Sequence, residues 1–118
     1  MIDRQKFKDA FQYYDKDVII SIIDLFEKGL PERFEKINKN IIENDFDALA
    51  FNSHSLKSIT TLFMDSEQVA LLIKLEEMAM RKKDSGLQEL YTKVKSSTDE
   101  LLKDLNIIRQ EMTSTDNK

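Results

Sequence analysis

The chain has no cysteine, one proline, two glycines and a single histidine among its 118 residues. Without cysteine it forms neither a disulfide nor a thiolate metal site, which is compatible with a reducing compartment. The shortage of glycine and proline leaves little material for tight turns and disfavours a fold built from many strands. Apolar runs such as Val18-Ile19-Ile20 are far too short to span a bilayer.

The charge balance excludes a further class of protein. Acidic residues outnumber lysine and arginine by 22 to 18, giving a net charge of −4, whereas a nucleic-acid-binding protein needs a basic surface to neutralise phosphates. We therefore expect no nucleic-acid partner. The charged N-terminus is followed by no apolar signal region, so we expect a cytoplasmic protein that does not insert into a membrane.

Apolar residues recur at helical spacing through most of the chain. A short amphipathic segment at 2–14 precedes four longer predicted helices, at 17–43, 45–63, 66–82 and 87–111. Pro31 should kink or restart the first long helix, because its ring removes a backbone donor and crowds the preceding turn. Residues 112–118 are expected to form a frayed polar tail.

Short connections between long helices favour antiparallel neighbours. We therefore predict an all-α fold, an antiparallel up-down-up-down four-helix bundle with a short additional N-terminal helix. A chain of this length supports one hydrophobic core, and we assign that single domain to residues 1–111. We expect a monomer, although the apolar stripe from Leu87 to Ile108 could instead pair with a second copy.

The histidine, His54, lies near the middle of the predicted helix 45–63. The residues that periodicity assigns to the buried side of this helix are Leu49, Ser53, Leu56, Thr60 and Phe63. His54 lies on the other side, together with Ala50, Phe51, Lys57 and Ser58. An exposed imidazole beside a lysine can accept a phosphoryl group and have the new negative charge partly neutralised. The alternative is a surface histidine without a role.

Other chemistries lack the residues that they need. One histidine, no cysteine and no convergent set of carboxylates offer no ligand cage, so we expect no metal site. The chain also has no glycine-rich phosphate cradle and no Gly-Lys-Ser/Thr motif. It therefore has no evident way to bind ATP, and we do not expect it to phosphorylate itself.

Two motifs resemble those of a known family. His54-Ser55-Leu56-Lys57-Ser58 matches the pattern His-x-Leu-Lys-Gly, and the run from Leu72 to Ala79 matches Leu-x-x-Leu-Glu-x-x-Ala. Both patterns are typical of the histidine-containing phosphotransfer (HPt) domain of two-component phosphorelays, and the resemblance covers residues 17–108. Ser58 and Met64 stand at positions where the family has, or often has, glycine. These departures bear on the docking surface more than on the phosphoryl acceptor.

The resemblance implies a phosphoryl carrier that is not an enzyme. His54 would accept a phosphoryl group, usually on Nε2, from the receiver domain of a hybrid sensor histidine kinase and pass it to a response-regulator receiver domain. Lys57 would stabilise the phosphohistidine. Glu76, which stands at the glutamate position of the second motif, is expected to form a structural salt bridge or a helix cap. The partner-binding residues would be Ala50, Phe51, Ser58 and Thr61.

No cofactor is expected on this chain itself, because the receiver supplies the Mg²⁺ and the acidic site. A second hypothesis remains open at this point. The domain could be a non-catalytic helical adaptor that binds receivers or other signalling domains without phosphotransfer.

Overall fold

The computed structural model describes residues 1–116, and the side chains of residues 1–114. The described chain contains five α-helices and one 3-10 turn, and it has no strand, so the all-α prediction is confirmed. The helices are α1 (Arg4–Ala10), α2 (Lys16–Glu43), α3 (Phe46–Thr60), α4 (Ser66–Met80) and α5 (Leu87–Asp116), with the 3-10 turn at Thr61–Phe63 between α3 and α4.

Aspartate side chains determine where three of the helices begin. Asp3 accepts a hydrogen bond from the backbone N–H of Lys6 at the start of α1. Asp45 and Asp65 cap α3 and α4 in the same way, each accepting from a backbone N–H three residues further on, at 3.2 Å. Each cap satisfies a donor that the first turn of a helix leaves without a partner. Asp45 is thus the N-cap of α3, one residue before the helix begins.

Helix α2 is continuous across Pro31, so the predicted restart is wrong. Buried residues continue on both sides of the proline, with Phe26 and Leu30 before it and Ile37 after it. An interior proline costs about 3 kcal/mol, whereas burying one large apolar side chain contributes about 1.5–3 kcal/mol. Burial of several such residues on one continuous face therefore outweighs the lost hydrogen bond.

Helix α5 runs to Asp116 and not to 111, so residues 112–116 do not form the frayed tail that we predicted. Ile108 is buried and Met112 packs partly buried against the core. The Thr113 hydroxyl donates to the Arg109 carbonyl at 2.9 Å. The prediction of a tail rested on the polar composition of this stretch and did not take account of Met112, whose side chain contacts the core. Residues 117 and 118 lie outside the described part of the chain.

The core confirms the rotational setting predicted for α3. Leu49, Leu56 and Phe63 have no exposed surface, and neither have Ser53 and Thr60. The Thr60 hydroxyl donates to the carbonyl four residues earlier at 2.8 Å, as expected for threonine in a helix interior.

The stripe from Leu87 to Ile108 faces the same core. This stripe is therefore not available for pairing with a second copy, as the dimer hypothesis required. The molecule measures 52 × 23 × 21 Å. None of the helices within residues 1–116 has the length and hydropathy that crossing a bilayer requires.

Candidate functional site

His54 projects from the side of α3 that faces solvent. Its side chain is 61% exposed, while Ser53 and Leu56 on the same helix are fully buried. The difference follows from helical periodicity, because successive residues differ by about 100° around the axis. The imidazole is therefore accessible to another molecule and is not enclosed by aliphatic packing.

Glu76 on α4 joins His54 and Lys57 into one cluster. Its Oε1 lies 2.7 Å from His54 Nδ1, and its Oε2 lies 3.2 Å from the Lys57 ammonium nitrogen. Desolvation by burial acts to raise the pKa of Glu76, but the hydrogen bonds from His54 and Lys57 and the attraction of the ammonium group outweigh it. The pKa of Glu76 consequently lies below its ordinary value, and the carboxylate is ionised at neutral pH.

The ionised carboxylate determines which imidazole nitrogen carries the proton. A carboxylate only accepts hydrogen bonds, so the short contact requires a proton on Nδ1 of His54. In the neutral ring, the lone pair then lies on Nε2. Within the described chain Nε2 has no hydrogen-bond partner. The contact with Glu76 thus holds the ring in the tautomer that presents a nucleophilic nitrogen to solvent.

The Lys57 side chain is less exposed than we expected, and its partner is a different residue. We predicted an exposed ammonium group beside the imidazole, but the side chain is only 23% exposed and its ammonium group binds Glu76. The reason is that α4 packs closely against α3 and places a carboxylate within reach. Lys57 therefore acts on His54 through Glu76, by holding the carboxylate in place and keeping it ionised.

The four residues predicted to contact a partner have different environments. Phe51 is 72% exposed, so it does not tuck against a neighbouring helix. Ala50 is half-buried and packs against the core. The exposed hydroxyls of Ser58 and Thr61 donate to the carbonyls four residues earlier, at 3.0 and 2.8 Å. Their protons are thus already used within α3, and their oxygens remain as acceptors.

Helix α4 contributes two apolar residues that the sequence analysis missed. Ile73 and Met80 are exposed, and they lie one turn before and one turn after Glu76 on the same side of the helix. Nothing in the local sequence marks them as exposed, and only the packing of α4 shows that they lie outside the core. We use "His54 face" for the surface made of Phe51, His54, Ser58, Thr61, Ile73, Glu76 and Met80.

Met64 ends the 3-10 turn in a backbone conformation that favours glycine. Its backbone is left-handed, with φ of 59° and ψ of 40°, at the end of the 3-10 turn. Glycine adopts this conformation without strain, whereas a residue with a Cβ atom pays about 1–2 kcal/mol. The Met64 carbonyl also accepts the backbone N–H of Asp3 at 2.9 Å. The backbone at Met64 thus has a conformation that is more usual for glycine.

No group of three or more aspartate, glutamate or histidine side chains within the described residues could hold a metal ion. Comparison with family models, with curated proteins and with solved structures found no match in any of the three cases.

Proposed function

We propose that this protein is a phosphorelay intermediate, which accepts a phosphoryl group on His54 from a receiver-domain aspartate and passes it to another receiver. One observation carries the proposal. An exposed imidazole is held through Nδ1 by an ionised, largely buried carboxylate, which leaves Nε2 as a free nucleophile.

The chemistry requires little from this chain beyond a positioned nucleophile. The Nε2 lone pair attacks the phosphorus of an aspartyl phosphate, an N–P bond forms, and the P–O bond to the aspartate breaks to release its carboxylate. The ring then carries a positive charge and keeps its proton on Nδ1, where Glu76 lies 2.7 Å away. Attack by the aspartate of a second receiver reverses these steps. Mg²⁺ in the receiver neutralises the charge that develops on the phosphoryl oxygens.

The fold would present this nucleophile on the flank of the molecule. We propose that α2 to α5 form the up-down-up-down bundle predicted from the sequence, with α1 covering one end. The receiver would dock on the His54 face, where Phe51 and Met80 are 72% and 70% exposed. Exposed aromatic and methionine side chains rimmed by polar groups are typical of protein interfaces. The partners would be receiver domains in the cytoplasm, and the chain would act as a monomer.

A transfer assay tests the function. The protein is incubated with a panel of receiver domains from its source organism, each phosphorylated on aspartate. We expect at least one receiver to transfer an acid-labile, alkali-stable label to the wild-type protein and none to His54→Gln. Equal labelling of His54→Gln would remove the proposal.

A non-catalytic adaptor is the second candidate. Its support is the apolar part of the His54 face, since Phe51 and Met80 would favour docking whether or not chemistry follows. Receiver binding that survives His54→Ala, without any transfer to the wild-type protein, would favour this adaptor.

A further inference from the structure

A cleft of about 320 Å³ lies between α2 and α3, next to the His54 face. Its lining includes Gly29, Glu32, Arg33 and Lys36 from α2 and Phe51 and Ser55 from α3. A Cβ atom added at Gly29 would meet nothing within 4 Å, so the space beside this position is open. The cleft therefore combines an accessible space with two positively charged side chains, Arg33 and Lys36, and one acidic side chain, Glu32.

Arg33 is the unusual group in this cleft. Its Nη1 donates to the Ser55 hydroxyl oxygen at 3.0 Å, and it forms no ion pair with any carboxylate in the described part of the chain. Arg4 pairs with Glu111 and Arg109 pairs with Asp24 and Glu27, whereas the exposed Arg81 also forms no ion pair in the described part of the chain. Arg33 differs from Arg81 because it lines a cleft. A guanidinium group has five N–H donors in a planar fork that matches a carboxylate. Most of the Arg33 donors remain free for an external acceptor.

The cleft is continuous with the His54 face. Ser55, which accepts the hydrogen bond from Arg33, follows His54 directly in the chain. Phe51 belongs to both surfaces, since it lines the cleft and lies one turn before His54 on α3. A protein docked over the imidazole and Phe51 would therefore lie beside the cleft that the half-buried Arg33 lines.

We propose that Arg33 is a specificity-determining residue for the receiver partner and binds a carboxylate side chain that the receiver inserts into this cleft. The inference rests on the proposed phosphorelay function and adds the chemistry by which the partner is chosen. Charge complementarity selects the occupant, because an acidic side chain gains two parallel hydrogen bonds from the fork while a basic one meets like charge. Lys36 lends less support, because Glu32 already pairs with it at 3.3 Å.

Transfer kinetics test this proposal with the receiver that labels wild-type His54. The half-saturating concentration is measured for wild type, Arg33→Gln, Arg33→Lys and Lys28→Gln. The last variant is the matched control, because it removes one positive charge from an exposed position of α2 that does not line the cleft. We expect Arg33→Gln to raise the half-saturating concentration about tenfold, which corresponds to about 1.4 kcal/mol, and to leave the maximal rate unchanged. Arg33→Lys should be intermediate, since it keeps the charge and loses the fork.

Two further measurements separate recognition from a structural role. Added salt should reduce the difference in half-saturating receiver concentration between wild type and Arg33→Gln, because salt screens the attraction between the guanidinium and a carboxylate. Ser55→Ala removes the internal acceptor and leaves the guanidinium in place, so it should bind the receiver almost normally. If Ser55→Ala and Arg33→Gln weaken binding equally and lower the melting temperature equally, Arg33 is a structural brace and the proposal is overturned.

The outcomes also distinguish this inference from the proposed function. Unchanged kinetics in Arg33→Gln, with label still lost in His54→Gln, would overturn the role of the arginine and leave the phosphorelay function standing. A wild-type protein that no receiver labels would overturn both.

Discussion

In the proposed phosphotransfer, the chemistry of His54 depends on Glu76. The sequence marks it only as part of a Leu-Glu pair, for which we expected a structural salt bridge. The bridge to Lys57 exists, but the same carboxylate also holds Nδ1 of the imidazole. Glu76 therefore makes both a salt bridge and a positioning contact, because one carboxylate oxygen contacts Lys57 and the other contacts His54.

Replacing Glu76 should slow phosphoryl acceptance without removing it. Glu76→Ala leaves Nδ1 without its acceptor, so the ring can rotate and the proton can move to Nε2, which blocks the nucleophile. We expect the transfer rate to fall on the order of tenfold, about 1.4 kcal/mol of barrier. Glu76→Gln should lose less, because its amide oxygen can still accept from Nδ1.

Nitrogen NMR of the single imidazole provides the independent readout for these variants. Wild type should show the tautomer protonated on Nδ1, and Glu76→Ala should show a mixture. An unchanged tautomer together with a slower rate would assign the effect of Glu76 to another cause.

The depressed pKa of Glu76 also predicts how stability depends on pH. A carboxylate whose pKa is lower in the folded than in the unfolded protein stabilises the fold above the unfolded value, and this contribution disappears as the pH falls through the folded value. The ordinary value here is 4.5. The stability difference between wild type and Glu76→Gln should therefore shrink as the pH falls below about 4.5. Urea unfolding at a series of pH values measures it, and a difference that keeps growing below that pH would contradict the prediction.

At the scale of the single element, the buried residues of α3 and the residues of the proposed docking surface lie on opposite sides of the helix. Leu56→Ala should cost about 2–5 kcal/mol, because it opens a cavity at a position with no exposed surface. Phe51→Ala on the same helix should change stability by about 0.5 kcal/mol or less and act on receiver binding instead. Denaturant titration of both variants checks this contrast. A large loss of stability in Phe51→Ala would show that the ring packs against the fold after all.

The elements also show where periodicity is a reliable guide. The apolar stripe of α3 correctly predicted which side of the helix is buried. The helix begins directly after its N-cap, Asp45. The continuity of α2 through Pro31 could not be predicted locally, since the compensating burial of Phe26, Leu30 and Ile37 involves other helices. The extension of α5 to Asp116 depends in the same way on the contact between Met112 and the core.

At the scale of the whole molecule, the helices form an elongated body 52 Å long with one core. The apolar side of α5 is used inside that core, so the stripe from Leu87 to Ile108 is not exposed for pairing with a second copy. Small-angle scattering should therefore give a radius of gyration near the Cα value of 15.5 Å at every protein concentration. A radius that rises with concentration would show that another surface associates.

The sequence by itself determined the helical class, the phase of α3 and the exposure of His54, because each depends on residues within a few turns of one another. Only the tertiary structure decided what lies beside the imidazole. Glu76 comes from a different helix, 22 positions along the chain, and Arg33 reaches Ser55 from a third. No local spacing encodes such contacts, since they depend on how the helices pack and which side chains that packing leaves within hydrogen-bond distance.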